Sequence, residues 1–316
     1  MSNVVIIDAL NMFIRSYVVN PTMDRHGNPI GGCVGFLKSL QKVCKKFDPQ
    51  EVIIVWDGHE GSQRKRAINK NYKEGRKPIR FNRRLIELDP SEQDKNKAYQ
   101  LIRLMEYLNE LPVIQITVDY TEADDIIAYA ARHLLYAFWK KIIISSDKDF
   151  FQLCDDYTSI YRPIQDKVVT KQTILEEFKI HPNNFAIARA IAGDKSDNLP
   201  GAPGVGLKTL AKRFPFLISE EESSCEKIIT NCAMQGKKLK LHESIIKSEA
   251  LVKNNYKIMQ LYSPNIRPIN RIFIDNAILY FEPEFSRLTL TKMLFSDDLS
   301  YINFEELSRI MKNIKR

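Results

Sequence analysis

Four short apolar runs in the first half of the chain each end on a carboxylate. NVVIID (3–8) closes with Asp8, EVIIVWD (51–57) with Asp57, LPVIQITVD (111–119) with Asp119 and KKIIISSD (140–147) with Asp147. A lone acid after a strand is most simply the N-cap of the next helix. More acids crowd the same places, however: TEADD adds Glu122, Asp124 and Asp125, and SSDKDF adds Asp149. TEADD alone is explained by dipole compensation with Thr121 as cap. The total is not. Carboxylates gathered at one edge repel one another, and their pKa values rise unless a cation neutralises them. A carboxylate set without His or Cys suits a hard, oxygen-seeking ion such as Mg²⁺. Two such ions roughly 4 Å apart are a standard device for in-line phosphodiester cleavage.

The elements that must position these acids are legible around them. Three of the four runs are nearly continuous Val/Ile, the pattern of parallel strands covered on both faces. Helix-compatible stretches lie between them, at 32–47, 94–111 and 122–139. Strand alternating with helix predicts an α/β fold with a doubly wound, mostly parallel sheet. In such a sheet the ligand site lies outside the carboxyl ends of the strands, where these acids fall. Asp149, two residues past Asp147, shares its side if strand geometry persists.

The 316 residues carry a net charge of +8, which fits a polyanionic partner. The charge is concentrated: SQRKRAINKNYKEGRKPIRFNRR (62–84) holds ten Lys or Arg against one Glu. With Tyr72 and Phe81 interleaved, this segment reads as a grip on nucleic acid placed directly after Asp57. Five cysteines show no CxxC pair and no disulfide framework, and no Cys/His spacing suits zinc. No apolar run reaches membrane-spanning length and the N-terminus has no cationic leader, so no membrane is expected and a cytoplasmic protein is.

GDKSDNLPGAPGVGLKT (193–209) is not a phosphate loop: Leu207 stands where the lysine is needed and Lys208 arrives one residue late. It is not a dinucleotide fingerprint either, because Thr209 replaces the third glycine. From about residue 172 the chain reads as mostly helical, and 215–316 carries no motif.

In order, VVIIDALNMFIR, GNPIGGCVGFLKSL, VIIVWDG, SQR with NYKEGR, TEADD, SSDKDF and AGDKSDNLPGAPGVGLKT closely resemble the 5′-nuclease (flap endonuclease) family. That family includes stand-alone bacteriophage 5′-3′ exonucleases with RNase H activity and the N-terminal domain of bacterial DNA polymerase I. The resemblance covers residues 3 to about 214. It implies a PIN-like core at 1–175 with a basic helical arch at about 62–105. A helical unit at 176–316 would contain a helix–three-turn–helix loop at about 190–214. It also implies metal ligands Asp8, Asp57, Glu122, Asp124, Asp125, Asp147, Asp149, Asp194 and Asp197. The first four of these would surround one ion, and Asp147, Asp149 and Asp197 the other, with Asp124 reaching both. Mn²⁺ would substitute for Mg²⁺. Lys73 and Arg76 match a basic pair that contacts the scissile phosphate, and Arg15 and Arg64 match DNA contacts near it. Gly204, Gly206, Lys208 and Lys212 would meet a duplex phosphate, with K⁺ held by the same loop. The substrates implied are DNA and RNA–DNA hybrids with 5′ ends or flaps, processed by a monomer to remove primers and flaps in replication. A single-strand-binding protein or a sliding clamp is the implied partner type, and the host cytoplasm the site of action for a phage enzyme. Asp119 matches no site position and reverts to a cap.

A second reading is a structure-specific DNA-binding component with weak catalysis, which retention of all nine acids disfavours. A third, an RNA-cleaving nuclease of the related small α/β type, lacks a counterpart to the 193–209 loop.

Overall fold

Strand β1 (Asn3–Asp8) is covered on both faces, as its unbroken Val-Val-Ile-Ile run predicts. Val4, Val5, Ile6 and Ile7 are all fully buried. At roughly 1.5–3 kcal/mol per buried aliphatic side chain, these four contribute more than a cap or a surface ion pair. The strand can therefore end on a desolvated aspartate. The computed structural model describes residues 2–82, 86–234, 239–299 and 302–314.

Around β1 the sheet builds outward in both directions. β1 pairs in parallel with β2 (Glu51–Trp56), and β2 with β3 (Ile114–Thr117). On its other side β1 pairs in parallel with β4 (Lys140–Ile144), and β4 with β5 (Thr158–Arg162). β6 (Lys167–Val169) closes that edge in antiparallel sense. The order β3-β2-β1-β4-β5-β6 is that of a doubly wound fold, with its switch point between β1 and β4. Alternate residues serve two core layers. Val4, Ile6, Ile53, Val55 and Ile143 meet helix α5 (Ala123–Ala131). Val5, Ile7, Val52, Ile54 and Ile144 meet α1 (Ala9–Val19) and α2 (Gly31–Phe47).

The remaining helices differ in what they cover. α3 (Gln63–Ile68) and α4 (Pro90–Asn109) bracket the cationic segment. α4 starts at a full capping box between Asp89 and Glu92. Between them, residues 69–82 run as turns and irregular chain, so among its described residues the arch is helical only at its two ends. Arg83 and Arg84 lie outside the described residues. α6 (Lys171–Phe178) and α7 (Phe185–Ala192) lead to a two-residue ladder in which Gly193–Asp194 pairs with Leu199–Pro200. α8 (Leu207–Arg213), α9 (Cys225–Met234), α10 (Lys240–Lys247), α11 (Glu249–Met259) and α12 (Pro268–Leu279) extend the first core layer. Asn255 of α11 donates to the carbonyls of Ala190 and Pro200, pinning the ends of the 193–200 turn. α13 (Arg287–Ser296) and α14 (Phe304–Met311) return to the second layer: Leu290, Leu294, Leu307 and Met311 are buried with residues of α2. The motif-free C-terminus is thus partly core. The basic residues Lys315 and Arg316 at its tip lie outside the described residues.

Several sequence expectations are corrected. The third apolar run is strand only over Ile114–Thr117, and Asp119 is exposed beyond it. Asp119 is not the cap of α5, whose N-cap position, three residues later, is Glu122. Thr121 is not the cap either; its hydroxyl donates to the Asp119 carbonyl at 3.3 Å. The helix expected over 122–139 stops at Ala131, and Leu134–Tyr136 forms one 3₁₀ turn capped by His133. Strand geometry does not persist past Ile144: Asp149 opens a separate 3₁₀ turn, Asp149–Leu153. Tyr72 and Phe81 are buried, at 2% and 4% exposure, and are closed to base stacking. The phenol of Tyr72 bonds Glu122, and Phe81 packs on Tyr17 with ring centroids 4.2 Å apart.

Candidate active site

β1, β2 and β4 each deliver an acid by a local device. Asp8 is both the last residue of β1 and the N-cap of α1: Oδ1 accepts from the Asn11 amide at 3.1 Å. Its Oδ2 accepts from the Ser145 hydroxyl at 2.9 Å, which ties the ends of β1 and β4 together. Asp57, just past β2, accepts from the Ala123 amide at 3.0 Å and so fixes the start of α5 beside β2. Gly58 allows that approach. A Cβ there would lie 1.8 Å from the Val118 carbonyl oxygen. Gly58→Ala is therefore expected to cost about 1–3 kcal/mol through overpacking, read as a lowered denaturant midpoint. An unchanged midpoint would mean that the 58–118 contact yields freely.

The first turn of α5 supplies three more carboxylates. Glu122, 2% exposed, accepts from Tyr72 Oη at 3.1 Å, from Lys65 Nζ at 2.6 Å and from Lys73 Nζ. Asp124 accepts from Lys65 Nζ at 2.9 Å. Asp125, also buried, accepts from the Asn265 amide at 3.4 Å. Beyond β4, Asp147 accepts from the Asp149 amide at 2.8 Å, while its own amide donates to Ser145 Oγ at 3.1 Å. Asp149 pairs with Arg189, Nε–Oδ1 at 3.0 Å. Arg189 also binds Asp194, whose Oδ1 accepts from the Ser196 amide at 2.7 Å. Asp197 pairs with Arg76.

All nine expected acids thus lie in one electrostatically connected group at the carboxyl edge of the sheet. Burial, with Asp57 and Asp124 close by, pushes the Asp8 carboxyl up to about 7 against the lowering effect of its hydrogen bonds. Burial raises Asp57 likewise, and takes Asp125 to about 6. Asp147 and Asp149 are both raised, first by desolvation in the crowded pocket, although Asp147 keeps exposed surface, and then by neighbouring carboxylates: Asp124 and Asp197 at Asp147, Asp147 and Asp124 at Asp149. Asp124 differs: burial would raise it, but Lys65 and Lys73 hold it well below the ordinary carboxylate range. Such perturbation is what an anionic site short of cations produces. Among the described residues, Asp149, Asp194 and Asp197 each offer one carboxylate oxygen within 4.8 Å of the others, close enough to share one ion. The grouping expected for that ion had Asp147 where the structure draws in Asp194. In the other grouping, Asp8, Asp57, Glu122 and Asp124, Lys65 bridges Glu122 and Asp124, and Lys73 pairs with Glu122. The donor chemistry, all carboxylate oxygen, fits a hard divalent cation.

The basic residues sort into those at the pocket and those outside it. Lys73 has a left-handed backbone (φ 60°), and its amide donates to the Asp197 carbonyl at 2.9 Å. Arg76 Nε donates to the Ser196 carbonyl at 3.1 Å. The foot of the cationic segment is thereby latched to the 193–198 turn. Arg15 is part-buried, its Nε bonded to the Asn11 carbonyl. Arg64 does not face the carboxylates; it bonds Asn265, and the adjacent Lys65 takes that place. Further out, Gly204 (φ 76°) and Gly206 have open space where a Cβ would stand, and Lys208 and Lys212 on α8 are exposed. Sequence reading missed Lys65, Arg189, Ser145 and Asn11. Lys65 was hidden among ten cations. Arg189 carried a usable signal, as the one charged residue of an otherwise apolar α7.

Residues 3–179 match the model of the 5′-3′ exonuclease N-terminal resolvase-like domain. The 5′-3′ exonuclease of Aquifex aeolicus is 30% identical over 264 residues, covering 83% of each chain. The flap endonuclease Xni of Shewanella sediminis is 31% identical over 264 residues, covering 83% of this chain and 92% of its own. In fold, the chain is similar to the bacteriophage T5 flap endonuclease in a pseudo-enzyme-product complex with DNA and metal ions. The TM-score is 0.65 at 18% identity, over 98% of this chain and 99% of that one.

Proposed function

Because the chain belongs to the 5′-3′ exonuclease family, as a 5′-3′ exonuclease and flap endonuclease, we propose that it hydrolyses phosphodiesters of DNA and RNA–DNA hybrids at 5′ ends and flaps with two Mg²⁺ ions. The observation that carries the metal assignment is the crowding of nine carboxylates at one sheet edge, with Asp149, Asp194 and Asp197 already within reach of a shared ion. Mn²⁺ would serve in place of Mg²⁺. The nominated ligands are Asp8, Asp57, Glu122, Asp124, Asp125, Asp147, Asp149, Asp194 and Asp197. A bound divalent ion supplies Lewis acidity at a phosphoryl oxygen and a more acidic water.

The protein's own groups do the rest. Ser145 Oγ bonds both the Asp8 carboxylate and the Asp147 amide, which links the ligand positions at the ends of β1 and β4. Lys73 and Arg76, latched to the 193–198 turn, meet the scissile phosphate and stabilise the charge it develops. Arg15 and Arg64 flank the site. The exposed α8 lysines and the open backbone at Gly204 and Gly206 bind a duplex phosphate, with K⁺ at the carbonyls of that loop. The basic segment steers the polyanion to the site. We assign the enzyme, as a monomer, to removal of primers and 5′ flaps in cytoplasmic replication, beside a single-strand-binding protein or sliding clamp. No helix among the described residues is long and apolar enough to cross a membrane.

The metal assignment is tested by thermal denaturation. Mg²⁺ at 100 times its Kd should stabilise the fold by about 2.7 kcal/mol, a Tm rise of about 4 °C for a chain of this size, reversed by chelator. No shift with Mg²⁺ or Mn²⁺ would overturn it. Substrate preference is read from flapped, recessed-end and RNA–DNA duplexes cut side by side. Cleavage of all three is expected, and failure on the hybrid would remove the RNase H activity.

A further inference from the structure

Lys65 stands where the site would be expected to hold a metal. Its side chain is only 12% exposed, and Nζ lies 2.6 Å from Glu122 Oε2 and 2.9 Å from Asp124 Oδ2. Glu122 has no free oxygen, since Oε1 takes Lys73 and Oε2 takes both Lys65 and the Tyr72 hydroxyl. The ammonium is seated further by the Tyr72 ring, 5.9 Å from its centroid. α3 is six residues long and has no buried residue, so Lys65 is held mainly by the charges it meets.

We propose that Lys65 is an internal counter-ion that occupies the Glu122–Asp124 position in the metal-free protein and must leave when a divalent ion binds there. The inference rests on the reading of Glu122 and Asp124 as metal ligands. An ammonium has the charge and hydrogen-bonding capacity to pair with two neighbouring carboxylates, but it supplies neither Lewis acidity nor a second positive charge. Ion exchange follows. Metal entry costs the Lys65 pairs, which weakens affinity, and it frees the side chain on α3, in the basic segment. The metal-free fold keeps a carboxylate cluster that would otherwise repel itself, and the freed lysine carries its charge toward the phosphate backbone as the site is loaded. Lys65 is in this sense a positioning residue and not a catalytic one.

The test is Mn²⁺ binding to the full chain without nucleic acid, by titration calorimetry, together with the Tm in chelator. Lys65→Met should bind Mn²⁺ about tenfold more tightly, the equivalent of ~1.4 kcal/mol, and melt at a lower temperature in chelator. Lys65→Arg, whose fork matches two carboxylates better, should bind Mn²⁺ several-fold more weakly. It keeps the test open should Lys65→Met fail to fold. Mn²⁺ affinity unchanged in the variants while the wild type binds normally would overturn the counter-ion role alone. No Mn²⁺ binding by the wild type would overturn the metal reading on which it rests, and the counter-ion role with it.

Discussion

Asp147→Asn is expected to lower cleavage of a 5′-flapped duplex by on the order of 10³-fold, since a misheld divalent ion forfeits several kcal/mol of transition-state stabilisation. Affinity for the same DNA should hold within about threefold, because the substitution removes a negative charge from a surface that binds phosphates. Asp147 has the position for a pure ligand role. Its Oδ1 accepts from the Asp149 amide, and no basic side chain among the described residues pairs with it directly. The same substitution should raise the Tm in chelator by relieving repulsion from Asp124 and Asp197. Higher stability with lost activity is the signature of a residue kept for function at a cost to the fold. Equal loss of cleavage, binding and stability would instead make the carboxylates structural.

Lys73→Ala carries the second large effect: a fall in single-turnover rate of about 10²–10³-fold, with binding weakened far less. The asymmetry follows if the ammonium strengthens its phosphate contact as charge develops in the transition state. The structure adds a reason for the residue's precision, in that the Lys73 amide is bonded to the Asp197 carbonyl and its Nζ to Glu122. Loss of the side chain leaves Glu122 with Lys65 and Tyr72, so the pocket should keep its fold. Normal turnover in the variant would remove Lys73 from the mechanism.

What could be read from the residues, and what could not, divides along physical lines. β1, β2 and β4 are Val/Ile runs buried on both faces, a pattern with few competing explanations. The acids that follow them were visible for the same reason. β5 and β6 were missed because TSIYR and KVV are short and mix polar with apolar residues, β6 being the edge strand and β5 its neighbour. Asp119 looked like its neighbours but follows a strand that ends early, and its side chain turns to solvent. The interior cations were harder to see. Which member of a dense basic run points inward is decided by how α3 and the turn after it are held against Glu122 and the 193–198 turn. No local pattern encodes that packing. Tyr72 and Phe81 misled for a related reason: aromatic residues among bases suit stacking on nucleic acid, yet here they bury into the core and carry the segment with them.

The proposed role of this carboxylate edge is that of a divalent-metal nuclease site acting on 5′ structures. A 5′-labelled flapped duplex incubated with the protein in Mg²⁺, and in parallel with chelator, tests it most directly. The account predicts release of the flap or of short 5′ products in Mg²⁺ alone, absent in chelator and in Asp147→Asn. Tight binding of the duplex with no cleavage in Mg²⁺ or Mn²⁺ would contradict it and leave a DNA-binding protein with a vestigial site.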